Sequence, residues 1–122
     1  MIDTGIDASH PAMPEVVGGA ALTIGAAGAI AVGDDWRDTV GHGTACAGIA
    51  ARGLQSRLEL VALRVVDEQG TSTVRLVEAA LACAVERGAR VVNVSLGAPG
   101  WEMDAWERVR AVCAAAARRG VV

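Results

Sequence analysis

Residues 58–66 read Leu-Glu-Leu-Val-Ala-Leu-Arg-Val-Val, and residues 89–96 read Ala-Arg-Val-Val-Asn-Val-Ser-Leu before Gly97. Both runs are short, apolar and rich in β-branched residues, the pattern of strands buried on both faces of a parallel sheet. Between them Val74, Val77, Leu81, Ala84 and Val85 recur at helical spacing, while Arg75, Glu78, Glu86 and Arg87 fall on other faces. Gly88 stands where a helix C-terminal cap belongs. The unit is strand, helix, strand, and such crossovers are right-handed. The fold class is therefore α/β, a three-layer open parallel sheet with helices on both faces.

Working outward, a second helix is expected from Trp101 to Arg119, burying Ala105, Val109, Val112, Cys113 and Ala116. Arg118 and Arg119 complement its negative end, Gly120 stops it, and Val121-Val122 opens a further strand. A shorter helix from His42 to Ala51 is expected to pack through Ala45, Ala47, Gly48 and Ala50 against a close neighbour. Residues 18–33 mix Gly, Ala, Val and Ile without a period of two or of 3.6, and are placed only as a strand-and-loop region. They hold neither a G-x-G-x-x-G nor a G-x-x-x-x-G-K-[ST] pattern, so no phosphate loop is read there.

Composition narrows the function classes. The chain has 122 residues, 52% of them apolar, with three Trp (Trp36, Trp101, Trp106) and no Phe or Tyr. Its mean hydropathy is +0.38. A core of small aliphatic groups suits helices packed closely on a sheet. Fifteen Gly against three Pro indicates tight turns and close backbone approaches. The eleven basic residues are all Arg, spread along a chain of net charge −3, which argues against nucleic acid as a partner. No apolar run reaches the roughly 18 to 20 residues of a membrane span, so no membrane association is expected. No basic segment followed by an apolar one opens the chain, and the cytoplasm is the default expectation. Cys46, Cys83 and Cys113 include no C-x-x-C pair and are expected to be buried as small hydrophobes, without a disulfide or zinc site.

Two short stretches carry chemistry. In Asp3-Thr4-Gly5-Ile6-Asp7, Asp3 falls at the carboxyl end of a strand, where open α/β sheets place their active sites; it could equally cap the turn before Gly5. In Gly41-His42-Gly43-Thr44-Ala45-Cys46-Ala47-Gly48, His42 sits between glycines at the start of a small-residue helix. A histidine alone there is compatible with a structural role. A histidine beside a carboxylate on a neighbouring strand end is a candidate base, because the carboxylate orients the imidazole and stabilises its protonated form.

These two stretches, together with His10-Pro11 and Val91-Val92-Asn93-Val94-Ser95-Leu96-Gly97, resemble the subtilisin-like serine peptidases, the subtilases, and come in that family's chain order across nearly the whole chain. The resemblance implies Asp3 as the orienting carboxylate and His42 as the general base of an Asp-His-Ser triad. Cys46 is similar to a thiol that some subtilases carry beside the catalytic histidine. Ser95-Leu96-Gly97 resembles the segment flanking the primary specificity pocket, and Gly70-Thr71-Ser72 the facing segment that sandwiches an extended peptide. Exposed main-chain groups beside small side chains suit that role, while Gly70-Thr71-Ser72 also reads as a helix start with a hydroxyl cap. Ser95 is read as substrate wall and not as nucleophile.

The departures matter as much. The family's oxyanion-hole Asn belongs to the strand after the helix ending at Gly120, and the nucleophile motif Gly-Thr-Ser-x-Ala lies later still; residues 1–122 contain neither. Loss of an oxyanion donor alone typically costs about a hundred- to thousand-fold in rate. The expectation is a partial subtilase catalytic domain spanning 1–122, a serine endopeptidase by family but inactive as this chain alone. Its partners would be an extended peptide or protein substrate and a missing C-terminal half. The alternative is a catalytically dead peptide-binding module of subtilase descent. No cofactor is expected, and no metal, since no calcium-site loop is recognisable between Ala51 and Leu60. Because only Met1 and Ile2 precede Asp3, the chain is expected to open inside one strand and close inside another, and to be marginal or self-associating alone.

Overall fold

A computed structural model describes residues 1–54, 58–97 and 103–122. Four strands form one sheet in the order β1 (Ile2–Asp3), β4 (Glu59–Arg64), β2 (Glu15–Ile24), β3 (Ile30–Gly33). β1 and β2 both run parallel to β4, and β3 turns back antiparallel on β2. The glycine- and alanine-rich region of 18–33 is thus the end of β2, a short 3-10 turn at Ala26–Gly28 and β3. A mixed sheet of this kind is a parallel core with one antiparallel edge strand.

Alternation along β4 sorts the two sides of the sheet. Leu63 joins Ile2, Ala20, Leu22 and Val65 beneath α2 (Val74–Glu86), which contributes Leu76, Val77, Ala80, Leu81 and Ala84. Leu60 and Ala62 face the other way, with Ile6 and with Ala47 of α1 (His42–Ala50), flanked by Met13, Val16 and Trp36. Helices therefore cover both faces, as the strand pattern implies. β2 serves both layers because its register slips between Val16 and Gly18: Val16 pairs with Leu60, Gly18 with Val61, and Val17 is an extra residue. Such a bulge turns the even-numbered residues from one face to the other, so Val16 belongs to the α1 layer and Ala20 and Leu22 to the α2 layer.

α2 and α3 (Met103–Arg118) end alike. Gly88 and Gly120 take left-handed φ angles of 77° and 81°. Their amides donate to Val85 O and Ala117 O, and the next residues, Ala89 and Val121, donate to Ala84 O and Ala116 O. This is the Schellman pattern, which satisfies carbonyls that a helix end leaves unpaired.

Several expectations need correction. Residues 89–96 form no regular strand: the segment is held by a single bridge, Ile2 to Val94, with Ile2 N donating to Asn93 O (2.9 Å) and Val92 N to Val122 O (2.7 Å). A ladder needs successive partners, and β1 offers only two residues to this side. Within α3 only Ala105 and Ala116 are buried; Val109 and Val112 are half-buried and Cys113 is exposed, because α3 packs chiefly on α2. Cys46 and Cys83 are only half-buried, so none of the three cysteines is a core residue. In α1 the buried residues are Gly43, Thr44 and Ala47, while Ala45 and Ala50 face outward. Trp101, the expected start of α3, lies outside the described residues, as do residues 55–57 of the loop read for calcium ligands.

The close approach in α1 is at Gly43. A Cβ there would collide with the carbonyl oxygen of Gly5 and come within 3.0 Å of the Asp3 Cβ, whereas one at Gly88 would meet nothing within 4 Å. Gly88→Ala is therefore expected to cost about 1 kcal/mol through its left-handed backbone alone. Gly43→Ala, despite an ordinary φ, is expected to cost about 2–3 kcal/mol through overpacking, with thermal unfolding of the two variants as the measurement.

Candidate active site

The carboxyl end of β1 delivers Asp3 into the interior, where it has no exposed surface. Its Oδ1 accepts from Thr4 N (2.7 Å) and lies 2.7 Å from His42 Nδ1. Its Oδ2 is buried without a hydrogen-bond partner among the described residues. His42 is the first residue of α1, and its side chain is 52% exposed, so the pair spans the boundary between core and solvent. With Nδ1 engaged by the carboxylate, the neutral ring carries its proton there and presents Nε2 as the basic nitrogen. The hydrogen bond and the negative charge of Asp3, against a small opposing effect of burial and with help from the Asp38 charge, raise the His42 pKa.

The helix start is held by a residue the motif reading passed over. Gly41, the N-cap of α1, is left-handed (φ 98°) and has no side chain to cap with. The carboxylate of Asp38 does this work instead. Oδ1 accepts from Val40 N (3.0 Å), Gly41 N (2.8 Å) and Thr4 Oγ1 (2.8 Å), and Oδ2 accepts from Thr44 N (2.8 Å) and Thr44 Oγ1 (2.6 Å). Burial alone would push the Asp38 pKa up, but the bonds from Thr44, Gly41 and Thr4 overcome it and hold the carboxyl down at about 2. The N-cap preference for Asp does not find it, because the cap position is Gly41 and Asp38 stands three residues earlier.

Cys46 lies one turn along α1, with Sγ 3.8 Å from His42 Nε2 and 3.9 Å from Nδ1. A sulfur nearly equidistant from both ring nitrogens lies off the axis of each, so it flanks the imidazole without taking over either site. Asp3, His42 and Cys46 are the one group of three metal-binding side-chain types that converges among the described residues, with donor atoms within 4.8 Å. Nδ1 is committed to Asp3, and the arrangement is that of an acid–base pair with a neighbouring thiol.

The two expected substrate segments leave the same carboxyl edge of the sheet on either side of β1. Ser95-Leu96-Gly97 follows the bridge at Val94, and Gly70-Thr71-Ser72 lies in the turn after β4. In that turn Gly70 N donates to Asp67 O and Thr71 N to Asp67 Oδ1, so both amides are already engaged. Ser72 Oγ donates to Val65 O, and the helix cap is Thr73, whose hydroxyl accepts from Leu76 N. Ser95 Oγ donates to Asn93 Oδ1 (2.7 Å); the side-chain partners of His42 among the described residues are Asp3 and Cys46.

A layered α/β sheet thus sets a buried strand-end aspartate against a helix-start histidine, the geometry of an acid–base pair. The chain belongs to the subtilase family (peptidase S8), whose sequence profile matches residues 1–121. It is 30% identical to thermitase of Thermoactinomyces vulgaris over 98% of this chain and 47% of that protein. It is 34% identical to subtilisin DY of Bacillus licheniformis over 81% of this chain and 36% of that protein. It is 30% identical to a thermophilic serine proteinase of Bacillus sp. (strain AK1) over 98% of this chain and 32% of that protein. The chain thus spans between about a third and a half of these relatives. No helix among the described residues is long and apolar enough to cross a membrane.

Removing the Asp3 charge tests the pairing. Asp3→Asn is expected to bring the His42 pKa down toward the ordinary imidazole value of about 6.5, read by NMR titration of the ring. Because the folded pKa is the raised one, the stability this pair contributes is fully present below pH about 6.5 and disappears as pH rises through the folded value. Asp38 has the opposite sign: its contribution is present above pH about 4 and fades as pH falls through about 2. Asp38→Asn is expected to flatten the acid limb of stability against pH in that window.

Proposed function

We propose that this chain supplies the acid–base half of a subtilase peptidase site, with Asp3 as orienting carboxylate and His42 as general base in the hydrolysis of peptide bonds. The observation that carries the reading is the 2.7 Å bond from the fully buried Asp3 to His42 Nδ1. In the reaction His42 Nε2 takes the proton of an attacking serine hydroxyl and returns it to the leaving amine, while Asp3 stabilises the imidazolium without itself taking the proton. The substrate is an extended peptide or protein segment, laid between Gly70-Thr71-Ser72 and Ser95-Leu96-Gly97 at the carboxyl edge of the sheet. The serine and the oxyanion donor are not among residues 1–122, so these residues alone form no acyl-enzyme; a C-terminal half, on the same or a separate chain, completes the site.

A serine-directed fluorophosphonate is expected to leave the 122-residue chain unlabelled at saturation; labelling at Ser95 overturns the assignment of substrate wall and nucleophile. DNA read onward from the Val122 codon in all frames is expected to encode a Gly-Asn oxyanion segment and a Gly-Thr-Ser-x-Ala motif. Unrelated sequence there, together with measurable binding of an extended peptide by the chain, would instead make it a binding module.

A further inference from the structure

Asp38 is hydrogen-bonded to neither Asp3 nor His42, yet both elements that carry them are tied to it. Thr4, the residue after Asp3, donates its hydroxyl to Asp38 Oδ1 and accepts from Gly43 N (2.9 Å), the residue after His42. Thr44 donates to Asp38 Oδ2 and accepts from Asp7 N (2.9 Å), which binds the far end of the Asp3 loop to the same helix turn. Each hydroxyl spends its one proton on the carboxylate and is thereby left to accept from a backbone amide. The polarity of both relays is set by one anion, which receives five hydrogen bonds in all. Thr4 and Thr44 are buried, so an unmade bond at either is not replaced by solvent.

We propose that Asp38 is the positioning residue of this site: through Thr4 and Thr44 its carboxylate clamps the start of α1 onto the loop after β1 and so sets His42 Nδ1 at hydrogen-bond distance from Asp3. This rests on reading Asp3 and His42 as the acid–base pair. An amide in place of the carboxylate carries one acceptor oxygen instead of two and presents donors to Thr44, whose hydroxyl and amide both already point at it. One relay must then break and the helix start must shift. The ionisable groups facing His42 are Asp3 from β1, Asp38 from the preceding loop and Cys46 from its own helix.

The test is NMR on the 122-residue chain, following the downfield Nδ1 proton of His42, the signature of its bond to Asp3, together with the ring titration. The native chain and Thr4→Ser, which keeps the hydroxyl, are expected to show the Nδ1 resonance. Asp38→Asn and Thr4→Val are expected to lose it and to bring the His42 pKa down toward about 6.5. A lowered pKa with the Nδ1 resonance intact in Asp38→Asn would mean that Asp38 acts only as a charge through space, and overturns the proposal. If Asp38→Asn does not fold, Thr4→Val against Thr4→Ser decides: identical spectra overturn it, loss of the resonance in Val alone supports it. The readout needs neither peptide binding nor hydrolysis, so its failure and the failure of the proposed peptidase role are separately visible.

Discussion

Helix α1 lies so close to the turn after β1 that the carbonyl of Gly5 occupies the space where a side chain at residue 43 would begin. Everything at the site depends on that contact. Only with a glycine in the second helical position can the helix start press against the strand end, and only then do Asp3 and His42 meet across 2.7 Å. The second glycine of the contact, Gly5, has φ 110° and backs directly onto the carbonyl of Trp36, so the strand-end loop is itself wedged from behind. Trp36 in turn covers Gly19 of β2, where a Cβ would run into its ring. A chain of three glycines and one tryptophan thus carries the packing of the sheet to the acid–base pair.

Within that close contact the electrostatics are divided between two aspartates. Asp3 is buried and has one oxygen that serves both its own loop and His42, while the other oxygen finds no donor among the described residues. Asp38 is half-buried and saturated with donors. Its negative charge at the amino end of α1 also matches the helix dipole. The carboxylate with few donors favours a protonated partner and orients the imidazole, and the well-solvated one does structural work. The same residue type serves both roles because its surroundings differ.

The layered sheet and its helices were legible because periodicity reports burial: β4 alternates, α2 repeats at helical spacing, and Gly88 and Gly120 end their helices as their positions imply. Asp3 and His42 were legible because each stands at an element boundary, Asp3 two residues before Gly5 and His42 between Gly41 and Gly43. Residues 18–33 were not, since small apolar residues fit either face of a strand and the hairpin between β2 and β3 uses Ala27 and Gly28 at positive φ without a standard turn signature. The irregularity of residues 89–96 was hidden for a related reason. Their composition is that of a strand, and whether a strand forms depends on the partners beside it.

The sequence by itself determined the α/β class, the family resemblance and the two residues of the acid–base pair, because these follow from local spacing and from residue types that few other arrangements use. Only the tertiary structure decided that β2 switches layers at Val17, that Cys113 is exposed, that the Gly70 and Thr71 amides are spent within their own turn, and that Asp38 joins the two elements that carry Asp3 and His42. Apart from the Gly70–Thr71 turn, whose bonds to Asp67 are local, these are relations between segments distant along the chain. A side chain's type limits which bonds it can make, but which bonds it does make depends on what the fold brings within about 3 Å of it.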